Sequence, residues 1–126
     1  MKLTGIALLP SKKPARRVRD IIENAEAIFS YTAGMDFAAF QANHQAADAT
    51  ERCLMRISEA ASKLGDLAPL LMPDQPWARI RAIGNPLRHE YDDIDQQQIW
   101  EIVQVSLSPL LAACKEALAR MPEGTA

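Results

Sequence analysis

The chain of 126 residues has few of the residues from which metal sites and disulfide frames are built. It has two cysteines, Cys53 and Cys114, and two histidines, His44 and His89. There is no CxxC pair and no HExxH run, so no zinc site and no metal cofactor is expected. Both cysteines fall on apolar helical stripes. Their simplest reading is a pair of reduced core thiols, not a disulfide. No segment alternates with period two over the length of a strand, which argues against a sheet. No continuous apolar run approaches the roughly 18 residues that a membrane helix needs. The opening MKLTGIALLP is apolar for only a few residues, short of a signal-type apolar region. The expectation is a cytoplasmic protein with no membrane partner and no cofactor.

What is present is ordinary in bulk and uneven in distribution. The chain is 48% hydrophobic and 24% charged, a balance suited to one soluble globular domain with a single core. Formal net charge is −2, which argues against non-specific nucleic-acid binding. Residues 1–19, however, carry six bases (Lys2, Lys12, Lys13, Arg16, Arg17, Arg19) and no acid, whereas the remainder carries eight bases and sixteen acids. A basic end on an acidic body could contact RNA or an acidic partner, but the simpler reading is a solvated, frayed terminus.

The hydrophobic period is helical nearly throughout. Val18, Ile21, Ile22, Ala25, Ile28, Phe29 and Thr32 predict a helix from about Ala15 to Ala33, stopped by Gly34. Asp36 is placed to cap a second helix that runs to Leu64 with a possible bend near its start; its stripe includes Ala46, Cys53, Ile57, Ala60 and Leu64. Gly65 ends it. Residues 66–76 predict a loop with one helical turn. Pro76-Trp77 opens a third helix with Ile80 and Ile83 on its apolar side, and Gly84 interrupts it. Asn85 followed by Pro86 reads as an N-cap and first-turn pair. Asp95 caps the last helix, with Gln98 at the capping-box position. Ile99, Val103, Leu107, Leu110, Cys114 and Leu118 form its stripe, and Pro109 is expected to kink it. The domain reading is a flexible basic segment 1–14, one helical domain over 15–121 and a loose tail 122–126. The fold class is all-α, a mainly antiparallel bundle with a kinked helix.

That kinked helix carries I-G-N-P-L-R-H-E-Y, residues 83–91. Asn85 and His89 lie four apart and share a helical face. Arg81, four before Asn85, extends that face if the kink is mild, and Arg88 is adjacent to His89. An imidazole can exchange a proton near neutral pH. A guanidinium can hold a phosphate and stabilise charge developing on it. Those groups suffice for metal-free RNA cleavage. The bland alternative is a structural histidine bridging helices, with Tyr91 a half-buried anchor of the turn before Asp95.

Several pieces in order give the chain a family likeness. They are I-F-S-Y-T-A-G (28–34), Phe40, I-S-E-A-A (57–61), P-W-A-R-I (76–80), N-P-L-R-H-E-Y (85–91), D-D-I-D (92–95) and I-W-E-I-V (99–103). Over residues 15–119 the chain resembles the HepT-like branch of the HEPN ribonuclease toxins. Their active-site motif is Arg, four to six residues, His, any residue, Tyr. His89 and Tyr91 match its second half. Gly84-Asn85 stands where the family has Arg-Asn, and Arg81 and Arg88 are the nearest arginines. The resemblance implies a HEPN-type bundle acting as a metal-independent endoribonuclease toxin on RNA. His89 would be the general base or acid, Arg88 the phosphate-stabilising cation with Arg81 in reserve, and Asn85 an orienting group. It also implies a homodimer, and a cognate nucleotidyltransferase antitoxin that transfers AMP to Tyr91. Glu59 would face the motif or the dimer seam and hold an arginine, or simply be an exposed helix glutamate.

Other residues have quieter readings. His44 is expected to be solvated or partner-facing. Trp77 and Trp100 are expected to be packing anchors beside the motif helix, and Asp92, Asp93 and Asp95 a capping turn. The rival function is a non-catalytic binding subunit, an adaptor or substrate of a nucleotidyltransferase, which Gly84 in the arginine position favours.

Overall fold

The computed structural model describes residues 13–89 and 95–122. Most of the expected flexible segment 1–14 and tail 122–126 lies outside the described residues. Among those described there is helix and no strand, as the missing period-two pattern predicts.

Helix α1 spans Pro14–Thr32, with Pro14 at its first position, where a missing N–H costs nothing. Its buried residues are Ala15 and, from the predicted stripe, Val18, Ile21, Ile22, Ala25, Ile28 and Thr32; Phe29, also in that stripe, is only partly buried. Val18, Ile21 and Ile28 are fully buried, and each stabilises the fold by about 1.5–3 kcal/mol. Thr32 hides its hydroxyl by donating to the Ile28 carbonyl at 2.9 Å. Gly34 follows at φ 76°, a left-handed conformation that glycine adopts without steric cost.

The predicted second helix is two helices. Helix α2 spans Phe37–Ala42 and α3 spans His44–Leu64. Asp36 caps α2, accepting from the Ala39 N–H at 2.8 Å. The bend is Asn43, which is non-helical at φ −103°, ψ 89° and caps α3 by accepting from the Ala46 N–H. Asn43 thus ends one helix and starts the next, and His44 is the exposed first residue of α3. At the far end, Gly65 sits at φ 56°, ψ −131° and donates to the Ala61 carbonyl. That ψ lies far from the left-handed helical well, in a region essentially restricted to glycine.

The one-turn helix α4 spans Leu67–Leu71, and α5 spans Trp77–Ala82. Pro76 is the N-cap of α5 rather than its first residue. Trp77 anchors this corner: it is buried, and its indole N–H donates to the Met72 carbonyl at 2.7 Å. Helix α6 spans Gly84–His89 and α7 spans Gln96–Glu101. Asp95 caps α7 by accepting from the Gln97 N–H at 2.9 Å. The capping expectation holds for Asp95; Asp92 and Asp93 lie outside the described residues.

The predicted kink in the last helix takes a specific form. Ile102–Ser106 is a π-helical turn, in which Leu107 donates five residues back to the Ile102 carbonyl, and α8 then spans Leu107–Arg120. Pro109 has no N–H for the Val105 carbonyl and its ring would strike that carbonyl in a regular helix. The wider turn just before it relieves both problems.

Helix α1 packs along α3 and α8; α5 and α6 lean on α3; α2 bridges α3 and α7. One core, continuous from Val18 through Leu64 to Ala117, fills the space between them. Cys53 and Cys114 are free and buried in it. Burial pushes the Cys114 thiol up to about 12, so it stays protonated and inert. Over Gln96–Arg120 the continuous helix reaches a mean hydropathy of 1.3, long and apolar enough by length and composition to cross a membrane. The sequence there holds no continuous apolar run of that length, and the core helix of a soluble protein passes the same test. The inward row here belongs to the bundle core, with Ile99, Val103, Leu107, Leu110, Cys114 and Ala117 buried.

Candidate active site

The site region is built on α5 and α6. Between them only Ile83 leaves the helical pattern, and its backbone remains right-handed at φ −63°, ψ −21°. The interruption is therefore a hitch, not a turn-around. It falls one residue earlier than the sequence suggests. Gly84 is the first residue of α6 and is buried, while Asn85 is the second and is exposed. Asn85 is thus inside the helix and is not its N-cap, and Pro86 is third. Proline is tolerated there because the first turn's N–H groups have no intrahelical acceptor.

Helical register then orders the chemistry. Arg81, Asn85 and His89 stand at i, i+4 and i+8 of one right-handed run, the spacing that stacks residues along a face. Arg81 is half-buried, and Arg79, two before it, is exposed. Arg88 and His89 close α6; their side chains, and the whole of Tyr91, lie outside the described residues. Leu87 is 7% exposed and packs into the core, holding α6 against α3.

A residue that sequence reasoning passed over sits under the hitch. Ser58, mid-way along α3, is 1% exposed. Its hydroxyl donates to the Arg81 carbonyl at 2.8 Å across 23 residues of sequence. The only signal in the sequence is a hydroxyl residue between Ile57 and Ala61 on a stripe of core positions, which also fits a small core filler.

Glu59, the supporting residue of the sequence reading, is exposed and lies 3.7 Å from Lys63 one turn on, with both side chains about half exposed. Trp100 is half-buried, its ring 5.0 Å from that of the buried Phe40. The two tryptophans thus pack on either side of the motif segment in sequence, as expected. Among the described residues no group of three or more His, Cys, Asp or Glu is arranged to hold a metal ion.

Beside α5 runs an open groove of about 920 Å³. Its walls are Ile57 of α3, Ile80 and Ile83 at α5, and Ile102 and Val105 of the π turn. Val105 is 68% exposed. Arg79 and Glu101 are among its charged lining residues.

An all-α bundle with a short helix set off by a hitch at Ile83, next to a tryptophan-anchored corner, is the class these features define. The chain belongs to the HepT-like ribonuclease family, whose description, "Ribonuclease HepT-like", matches residues 21–117. Two proteins of Methanocaldococcus jannaschii are similar to it. "Putative RNase MJ0127" is 30% identical over 95 residues, 75% of this chain and 78% of the relative. "Putative RNase MJ1380" is 31% identical over 85 residues, 68% of this chain and 78% of the relative. No solved structure matches the chain significantly.

Proposed function

We propose that this protein is a metal-independent endoribonuclease toxin of a toxin–antitoxin pair, acting in the cytoplasm with its centre on α6. The observation that carries the reading is the register of α5 and α6 in a chain of the HepT-like ribonuclease family. An arginine, an amide and an imidazole follow one another at helical spacing across a hitch. In the reaction, His89 removes the proton of a ribose 2′-hydroxyl, and the 2′-oxygen attacks the adjacent phosphorus in line. Arg88, with Arg81 in reserve, stabilises the pentacovalent oxyanion. The bond to the 5′-oxygen breaks, and that oxygen takes a proton from water or from the His89 imidazolium, giving a 2′,3′-cyclic phosphate and a 5′-hydroxyl. Asn85 orients the imidazole or the phosphate.

Two partners complete the proposal. A cognate nucleotidyltransferase acts as antitoxin by adding AMP to Tyr91, placing bulk and negative charge beside Arg88 and His89. A second copy of the chain covers the groove beside α5. Its apolar walls include the exposed Val105, and its lining holds both a cation, Arg79, and an acid, Glu101, which two copies could pair. Val105→Glu is then expected to turn a dimer into a folded monomer by light scattering; a dimer that survives would exclude this seam.

The decisive test is cleavage of labelled tRNA and mRNA in EDTA by wild type and His89→Ala. Cyclic-phosphate ends produced only by wild type support the ribonuclease. The second reading, a non-catalytic adaptor or substrate of the nucleotidyltransferase, is favoured by Gly84 in the arginine position. It predicts no cleavage by unmodified, dimeric wild type.

A further inference from the structure

We propose that Ser58 is a positioning residue of the active centre: its hydroxyl holds the α5–α6 hitch in the one arrangement that aligns Arg81 with the Asn85–His89 face. This inference rests on the ribonuclease reading above.

The need for an anchor comes from Pro86. In a regular helix the Ala82 carbonyl would accept from the N–H of residue 86, which proline lacks, and the ring would press on that carbonyl. The chain answers with the hitch at Ile83, whose own N–H still donates to the Arg79 carbonyl at 3.1 Å. At such a break the neighbouring carbonyls tilt off the helix axis and take other donors. The Arg81 carbonyl takes one from Ser58 at 2.8 Å.

The donor is unusual for its position. A serine inside a helix commonly bonds back to the carbonyl four residues earlier in its own helix. Ser58 instead reaches across to α5, from a site 1% exposed on the long helix α3. Helix α3 is a central element of the bundle, packed along α1 and against α5 and α6. The bond therefore ties the backbone of Arg81 to that helix. Gly84 and Leu87, both buried, set the depth of α6. The hydrogen bond fixes the end of α5 on the same helix, so the backbone on both sides of the hitch is referred to α3.

In-line attack is sensitive to such placement, since a misplacement of about 1 Å can lower a rate on the order of 100-fold. RNA binding, spread over many phosphate contacts, is not. Ser58→Ala is expected to lower kcat by about 10- to 100-fold with KM changed less than about twofold. Amide hydrogen exchange at residues 83, 84, 85 and 87 should speed up about tenfold, the equivalent of one lost hydrogen bond, while amides of α1 and α8 stay as in wild type. Unchanged exchange at the hitch would overturn the anchor. Faster exchange with wild-type kcat would overturn the positioning role. So would a loss of activity matched by faster exchange across α1 and α8, which would mean general destabilisation. His89→Ala in the same assay separates the failures. If wild type itself does not cleave, the ribonuclease reading falls and takes this role with it. If wild type cleaves, His89→Ala does not, and Ser58→Ala cleaves normally, only the Ser58 proposal falls.

Discussion

Phe40 offers a sharp test of how the region around the motif is held. Its ring is fully buried, 5.0 Å from the Trp100 ring at an interplanar angle of 37°. It joins α2 to α7, the helix that follows the motif. Phe40→Ala removes most of a large buried side chain and leaves a cavity, at a cost of about 3–5 kcal/mol. For 126 residues, an unfolding entropy of about 2.1 cal/mol/K per residue amounts to roughly 0.26 kcal/mol/K. A loss of about 4 kcal/mol then lowers Tm by about 15 °C. Phe40→Leu keeps most of the apolar volume and should cost about 1–1.5 kcal/mol, or about 5 °C. A double-mutant cycle of Phe40→Leu with Trp100→Leu isolates the ring pair, with a coupling of about 0.5–1.5 kcal/mol. The assay is calorimetric or CD melting at one fixed protein concentration, because self-association would add to apparent stability. A drop of less than about 5 °C for Phe40→Ala would refute the packing argument. Strict additivity in the cycle would refute the ring contact as a contribution beyond burial.

Other positions give independent checks. Glu51 has its carboxyl pushed above the ordinary range, first by desolvation and then by the neighbouring Asp48 charge. The folded state therefore holds this proton more tightly than the unfolded chain, and stability falls as pH rises from the ordinary carboxylate range through the raised value. Glu51→Gln should raise Tm at pH 7, with the gain vanishing near pH 4; an equal gain at both pH values would contradict the shift. Trp77→Phe strands the Met72 carbonyl, buried beneath the indole that now donates to it at 2.7 Å, and should cost about 1–3 kcal/mol in urea unfolding. Gly65→Ala should cost about 1–3 kcal/mol because of its φ and ψ, and Gly65→Asn should not rescue it, since ψ −131° lies outside the region asparagine tolerates.

The sequence by itself determined the all-α class and the buried faces of the long helices. The apolar rows of α1, α3 and α8 read directly from spacing, because a 3.6-residue period allows only one continuous face to reach a core. The cap at Asp36, the stop at Gly65, the cap at Asp95 and the disturbance ahead of Pro109 were equally legible, since each follows from local backbone chemistry. So were the polar groups of the motif and their likeness to a ribonuclease family.

Three features were decided only by the fold. Asn43 splits the second helix, although in sequence it is one polar residue among several; its effect depends on α2 turning to lay Phe40 against Trp100. The hitch falls at Ile83, one residue before the glycine, because Gly84 is drawn into the first turn of α6 and buried. Ser58 finds the Arg81 carbonyl 23 residues away, a contact that no local pattern encodes. Periodicity specifies which residues turn inward. Which of them meet, and which backbone carbonyl is met by a distant hydroxyl, is set when the helices pack, because a hydrogen bond depends on distances that sequence spacing does not contain.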